Sequence, residues 1–232
     1  MITSTHNPQL QEVRRLARRE ARARSGRFVA EGEDLLAAAD AAGWEPVERL
    51  RAGVEVTEEA LAKVSSLGSG TRALAVYEQR WAPPAGPLCV ALWGVRDPGN
   101  VGAVLRSALA FGASSVALGP DTADPYGPKA VRASMGAVFG VAVARAQRVA
   151  DLPGETIALA APAGSPLRGP ACGEVSLVVG AEREGLPEDV VAACDRVSHV
   201  PIASESLNAA MAATVALYEL TRSGPVPPEG NS

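Results

Sequence analysis

Lysine is almost missing from this 232-residue chain, Lys63 and Lys129 being the only two. Arginine therefore serves as the general-purpose cation, and no Walker-type phosphate loop with its lysine is present. Histidine is equally scarce, with only His6 and His199. A multi-histidine metal site is excluded, and a Ser-His-Asp arrangement would have to use one of these two, neither of which has a supporting motif nearby. The three cysteines, Cys89, Cys172 and Cys194, are odd in number, widely spaced and never in a Cys-x-x-Cys pair. That pattern argues against a disulfide framework or a zinc site, and it predicts buried thiols. Long apolar runs are lacking too. None approaches the roughly 20 residues of a membrane helix, and the opening stretch MITSTHNPQLQEVRR has no signal-peptide core. These absences point to a cytoplasmic protein with no metal and no membrane partner.

Net charge is −4, which alone suggests no polyanionic partner, but the charge is unevenly distributed. The first 30 residues hold seven arginines against Glu12 and Glu20. On a helix starting near Pro8, arginines 14, 18 and 22 form one i, i+4 row and Arg15 and Arg19 a neighbouring one, while Leu10, Val13, Leu16 and Ala17 form the apolar stripe. Such a helix offers phosphates a cationic face; a merely solvated face is the plain alternative.

The composition changes at EQRWAPPAGP, where prolines and glycine read as a linker. The domains expected are residues 1–80, a linker over 81–87, a larger domain over 88–222 and a disordered tail over 223–232. In the first, RFVAEG and ALAVYEQ read as strands and EDLLAAADAAG and TEEALAKVSS as helices, making a small α/β domain. In the second, short apolar strands (LCVALWGV, SSVALG, VAVARA, TIALAAP, SLVVGAE, HVPIA) alternate with helical patterns such as VGAVLRSALAFG, KAVRASMGAVFG and LPEDVVAACD. This alternation predicts a mostly parallel sheet with helices on both faces. Ligands on such sheets bind at the strands' carboxyl ends, where the loops DPGN, GAEREG and ASESLN fall.

Each loop has an ordinary structural reading. Asn100 suits a helix cap, a glutamate at 182 suits a solvated loop, and Ser206 and Asn208 suit the cap of the last helix. An arginine at 106, within the apolar run VGAVLRSALAF, is less easily explained, because burying it would carry a desolvation cost. Gly99 and Gly102 stand in G-x-x-G and lack the tight G-x-G turn of a dinucleotide fingerprint.

Taken together, the Asn-x-x-x-x-x-Arg loop and helix, the Gly-x-Glu-x-x-Gly loop and the Ser-Leu-Asn helix start resemble, in order, the three motifs of SpoU-type (TrmH-like) RNA 2′-O-ribose methyltransferases of the SPOUT superfamily. The resemblance covers residues 88–222, and the arginine-rich segment through FVAEGEDLL looks like the substrate-binding domain of ribosomal-RNA members. It implies a trefoil knot, S-adenosylmethionine as cofactor, a homodimer, and RNA as substrate, ribosomal RNA favoured over transfer RNA. A non-catalytic RNA-binding paralogue of the same fold is the alternative. The matching catalytic residues are Asn100, Arg106, Glu182, Ser206 and Asn208. Cofactor contacts would come from Val179, Gly180, Val200, Ile202, Leu207, Asn208 and Ala210, and RNA contacts from Arg14, Arg15, Arg18, Arg19 and Arg22. Between Val200-Pro201 and Ser206 the loop is about two residues shorter than the family's familiar form.

Overall fold

The computed structural model describes every residue except 67–69, 161–162, 204–206 and 223–232. The expected tail therefore lies outside the described residues. The elements run α1 Pro8–Leu16, α2 Arg19–Ser25, β1 Arg27–Glu31, α3 Glu33–Ala41, β2 Glu48–Arg51, α4 Glu58–Ala62 and β3 Ala73–Glu78. They continue with β4 Leu88–Leu92, α5 Pro98–Ala110, β5 Ser115–Leu118, α6 Pro128–Ala133, α7 Ala137–Gly140 and β6 Ala142–Arg145. After a short 3-10 turn come β7 Glu155–Leu159, β8 Ser165–Pro166, β9 Val175–Val179, α8 Glu188–Ala193, β10 Arg196–His199 and α9 Ala209–Thr221. They form two compact units. The first takes residues 1–82, 96–106 and 123–143, and the second takes 83–95, 107–122 and the chain from 144 onward.

In the first unit β3 runs between β1 and β2 as an antiparallel sheet. Side chains alternate across a strand, so Val29, Leu74 and Val76 join Leu10, Val13, Leu16, Leu50 and Leu61 in one core. Phe28 and Tyr77, opposite one another in the register, point into a second. There Phe28 meets Trp44, Tyr77, Tyr126 and Phe139, with ring centroids 4.7 to 6.1 Å apart. Five of the chain's nine aromatic residues thus converge on one buried cluster, where large rings contribute the most apolar area per residue. The indole N–H of Trp44 donates to the Phe139 carbonyl at 2.9 Å.

The expected long basic helix is two helices. Asn7 caps α1, accepting from Gln9 N at 2.8 Å, and Pro8 takes the first position. Leu10, Val13 and Leu16 are buried as the spacing predicts. The chain then turns at Ala17, and Arg18 is extended with φ −90° before α2. The cause is Arg22. Its guanidinium turns back to donate to the carbonyls of Leu16 at 2.8 Å and Ala17 at 2.9 Å, which a helix end leaves without intrahelical partners. It also pairs with Asp124 through Nε and Nη2, both at 2.8 Å. Arg22 is only 4% exposed, so it is removed from the set of RNA contacts; Arg14, Arg15, Arg18 and Arg19 are exposed. Likewise the pattern KAVRASMGAVFG is split into α6 and α7, because Met135 and Gly136 adopt positive φ, 50° and 90°.

The second unit is built on a seven-stranded sheet of order β6-β5-β4-β9-β7-β10-β8. The pairings β4–β5, β4–β9, β7–β9, β7–β10 and β8–β10 are all parallel. Every residue of β4, β5 and β9 is buried, the continuous apolar character of strands covered on both faces. One expected strand is displaced. HVPIA has the apolar pattern of a strand, but the ladder occupies Arg196–His199 and leaves Val200 to Ile202 as the following loop. Asp195 sets that register: its Oδ2 accepts from both the amide and the hydroxyl of Thr156, each at 2.8 Å, and its own amide donates back to Thr156 Oγ1 at 3.0 Å. These donors hold the Asp195 carboxyl below the usual carboxylate range. No helix among the described residues is long and apolar enough to cross a membrane.

Truncating Arg22→Ala strands Asp124 and two carbonyls, and should cost about 3–5 kcal/mol of stability, as for other broken buried pairs. Arg14→Ala, at an exposed position, should stay within about 0.5 kcal/mol. Urea denaturation of the two variants checks the contrast; similar midpoints would show that Arg22 is not a clamp.

Candidate active site

Three neighbouring strands of the second unit, β9, β7 and β10, end side by side. Their carboxyl ends open on a cleft of about 610 Å³, lined by Leu159, Ala160, Val179, Gly180, His199 and Val200. The residues after β9 add Glu182, Arg183, Glu184 and Leu186, and the start of α9 adds Leu207, Ala209 and Ala212, with Ile202 between. Parallel strands of a twisted sheet present their ligand loops at this end.

The loop after β9 is self-supporting. Ala181 and Gly185 exchange backbone hydrogen bonds of 3.1 and 3.0 Å, closing a tight turn whose tip is Glu182, Arg183 and Glu184, and Gly185 turns with φ 68°. Gly180 leaves the buried strand β9, where the lack of a side chain lets a ligand approach the backbone. Its backbone also lies against the loop itself, since a Cβ there would collide with Gly185 and stand 2.5 Å from Leu186 N. The glycine is needed to fold the turn that forms the cleft wall.

At the third loop Asn208 caps α9, its Oδ1 accepting from Ala210 N at 2.9 Å and Met211 N at 3.3 Å. That satisfies two amides a helix start leaves unpaired. Ser206 lies outside the described residues. Thr214, one and a half turns on, meets Ser107 with Oγ atoms 2.6 Å apart. Ser107 immediately follows Arg106, so the helix that starts at the cleft also anchors the last turn of α5.

The structure assigns Asn100 and Arg106 to the first unit and the cleft to the second. The cap of α5 is Asp97, whose Oδ1 accepts from Gly99 N at 2.9 Å, so the capping explanation for Asn100 falls away. Lys129 at 2.6 Å and the Gly99 amide together hold the Asp97 carboxyl low. Arg106 is exposed, which overturns the expected desolvation cost: the apolar face of α5 is Val101, Val104, Leu105 and Ala108, and Arg106 lies off it. Gly102 lets α5 approach α6 closely, as a Cβ there would stand 2.6 Å from Ala133 Cβ.

Of the seven expected cofactor contacts, Val179, Gly180, Val200, Ile202 and Leu207 line the cleft, and Asn208 and Ala210 flank its lining residue Ala209. Glu182 lines it as well. Sequence reasoning missed the contribution of β7, although its exit AAPAGSP carries the same glycine and proline punctuation as the other loops. It also passed over His199, whose Nδ1 donates to the Ala163 carbonyl at 3.2 Å.

The SpoU rRNA Methylase family matches residues 87–218, which include all three loops. The chain belongs to that family. An uncharacterized tRNA/rRNA methyltransferase of Synechocystis is 32% identical over 95% of this chain and 93% of its own. The 23S rRNA (guanosine(2553)-2′-O)-methyltransferase RlmP of Bacillus subtilis is 28% identical over 94% and 98%. Among solved structures, an AdoMet-bound rRNA methyltransferase from Sinorhizobium meliloti superposes with a TM-score of 0.85 at 29% identity, covering 94% of this chain and 96% of that one. The SpoU methyltransferase AviRb from Streptomyces viridochromogenes, in complex with AdoMet, gives 0.82 at 25% identity, covering 93% and 97%.

For this family member the glycine result has a direct consequence. Gly180→Ala should lower stability by about 1–3 kcal/mol, the usual cost of forcing atoms into packed space, and weaken S-adenosylhomocysteine binding together with it. Thermal melting beside calorimetric titration reads both; weaker binding with an unchanged melting temperature would restore the ligand-approach explanation.

Proposed function

We propose that this SpoU-family protein transfers a methyl group from S-adenosylmethionine to a ribose 2′-hydroxyl of RNA, ribosomal RNA in preference to transfer RNA, in the cytoplasm. The observation that carries the reading is one cleft lined by both the Gly-x-Glu-x-x-Gly loop and the start of α9 at Leu207 and Ala209. Its chemistry fits the cofactor. Leu159, Val179, Ile202 and Leu207 supply apolar walls for a purine, and Glu182 and Glu184 supply carboxylates for a cationic ligand. The cofactor, when bound, supplies a sulfonium methyl already activated for transfer.

The protein's own part is placement and electrostatics. Arg106 is assigned the task of fixing the target phosphate and stabilising the developing 2′-alkoxide. A guanidinium, with a pKa above about 12, acts as a permanent cation and not as a base. Asn100 and Glu182 orient the acceptor and the donor, and Asn208 holds the start of α9 against the cofactor. The exposed arginines 14, 18 and 19 favour a polyanion, whereas Arg15 is partly neutralised by Glu12 at 2.7 Å. The knot expected of the family belongs to the same reading. The 169–171 segment lies along the last turn of α9, where Gly169 N donates to Glu219 Oε1 at 3.0 Å and Ala171 N to the Leu220 carbonyl at 2.8 Å.

A homodimer is part of the proposal. On α9, Met211, Val215 and Tyr218 are 63%, 42% and 57% exposed and, at i, i+4 and i+7, share one face. Leu109 is exposed as well, and Phe111 packs edge-on to Tyr218 at 6.3 Å. An apolar stripe of this kind suits a second copy of the chain. Val215→Glu with Tyr218→Glu should convert the dimer to a monomer in light scattering; a wild-type monomer would remove the dimer from the reading.

Arg106→Ala is expected to remain folded and to bind S-adenosylhomocysteine normally while methyl transfer falls about 10²–10³-fold, the usual cost of losing a donor that acts in the transition state. Arg106→Lys should fail nearly as badly, for want of the planar fork. Single-turnover methylation of ribosomal RNA from cells lacking the gene provides the measurement. Near-normal turnover by a well-folded Arg106→Ala protein would take Arg106 out of the mechanism.

A further inference from the structure

We propose that Arg183 is the phosphate contact at the rim of the cleft, holding the RNA strand beside the nucleotide that accepts the methyl group. The inference rests on the RNA-methylation reading above, and it concerns a residue that the three sequence motifs leave unassigned.

The cleft presents a charge problem to a polyanion. Glu182 and Glu184 both line it, and Arg183 is the only arginine or lysine among its described lining residues. Two carboxylates at a mouth suit a cationic cofactor and repel phosphate, so an approaching strand needs a compensating cation there. Arg183 is the middle residue of the turn tip, and the reciprocal Ala181–Gly185 hydrogen bonds fix the base of that turn. The close approach of Gly180 to Gly185 fixes it further.

The guanidinium is also uncommitted. It is exposed and makes no hydrogen bond or ion pair with the described residues. In the same unit Arg148, Arg196 and Arg222 are each tied to a carboxylate, Asp151 at 3.0 Å, Glu155 at 2.8 Å and Glu219 at 2.7 Å. An arginine between two glutamates that pairs with neither keeps its full charge for a ligand. A weakly hydrated planar fork is well suited to phosphate oxygens. A contact of this kind fixes register on the strand without reading the base.

The same chemistry could serve a carboxylate of the cofactor, and the test separates the two. Wild-type protein, R183A and R183K are compared on ribosomal RNA from cells lacking the gene, with methyl incorporation, filter binding against salt, and calorimetry with S-adenosylhomocysteine. For R183A the KM for RNA should rise about tenfold, as for loss of one charge-assisted contact, with the loss in KM and not in kcat. The log–log salt slope should become shallower by about 0.7–0.9. R183K should recover much of the RNA affinity, and S-adenosylhomocysteine binding should be equal in all three. An unchanged KM and slope in R183A, beside an active wild type, would overturn the proposal. A fall in S-adenosylhomocysteine affinity would overturn it in favour of a cofactor contact. Failure of the wild type itself to bind or methylate the RNA would instead overturn the reading on which the proposal rests.

Discussion

The candidate site depends on the parallel pairing of β9 between β4 and β7. All five residues of β9 are buried, and the strand is hydrogen-bonded along its length on both sides. A slip of one residue would exchange its two faces and expose one of them to the wrong neighbours. The point at which Gly180 leaves the sheet is therefore set by the core. The turn of residues 181–185 then starts from a fixed base, and β7 and β10, locked to each other through Thr156 and Asp195, bring their ends to the same level. The cleft results from three strands stopping together, with the cap of α9 forming its other side.

Arginine in this chain illustrates how one residue type is divided among tasks. With so few lysines, arginines supply clamps, surface ion pairs and free cations alike. Arg22 is used internally, since its donors satisfy helix-end carbonyls and a carboxylate that would otherwise be stranded. Arg80 spreads its guanidinium over the Trp44 ring, 4.1 Å from the centroid. Arg49 and Arg51 are tied to Asp40 and Glu55. The Glu55 carboxyl, with the Arg51 side chain and amide both donating to it, is lowered to about 2. Against that background Arg14, Arg18, Arg19, Arg106 and Arg183 are exposed and stand among the arginines whose charge remains available to a partner. Burial and pairing sort them, and neither property is visible in a row of letters.

Much of the outcome was legible in the sequence, for stated reasons. Apolar runs of about five residues bounded by glycine and proline located β4, β5, β7 and β9, because strands buried on both faces must be apolar throughout. Pro8, and Asn208 before an alanine-rich run, marked helix starts because first-turn and capping preferences are local chemistry. Three motifs in order identified the family, and most of the positions they nominated for the cofactor line one cleft. Less was legible where a local pattern competed with distant partners. The arginine rows fit one helix by spacing, but Asp124, a hundred residues away, claims Arg22 and the helix breaks. HVPIA reads as a strand by its letters, yet the Thr156–Asp195 bonds begin the ladder earlier and it ends at His199.

By itself the sequence determined the family, the class of fold, the position of the loops after β4, β9 and β10 and the burial of the central strands, since each of these follows from local composition and spacing. Only the tertiary structure decided that β7 and His199 contribute to the cleft, that the Gly180 backbone lies against its own turn, that Arg106 is exposed on α5, and that Arg22 is buried in a clamp while Arg183 is exposed. Those outcomes depend on which groups meet across long separations in the chain, and hydrogen-bond satisfaction and steric exclusion act on distance in space, which the order of residues does not contain.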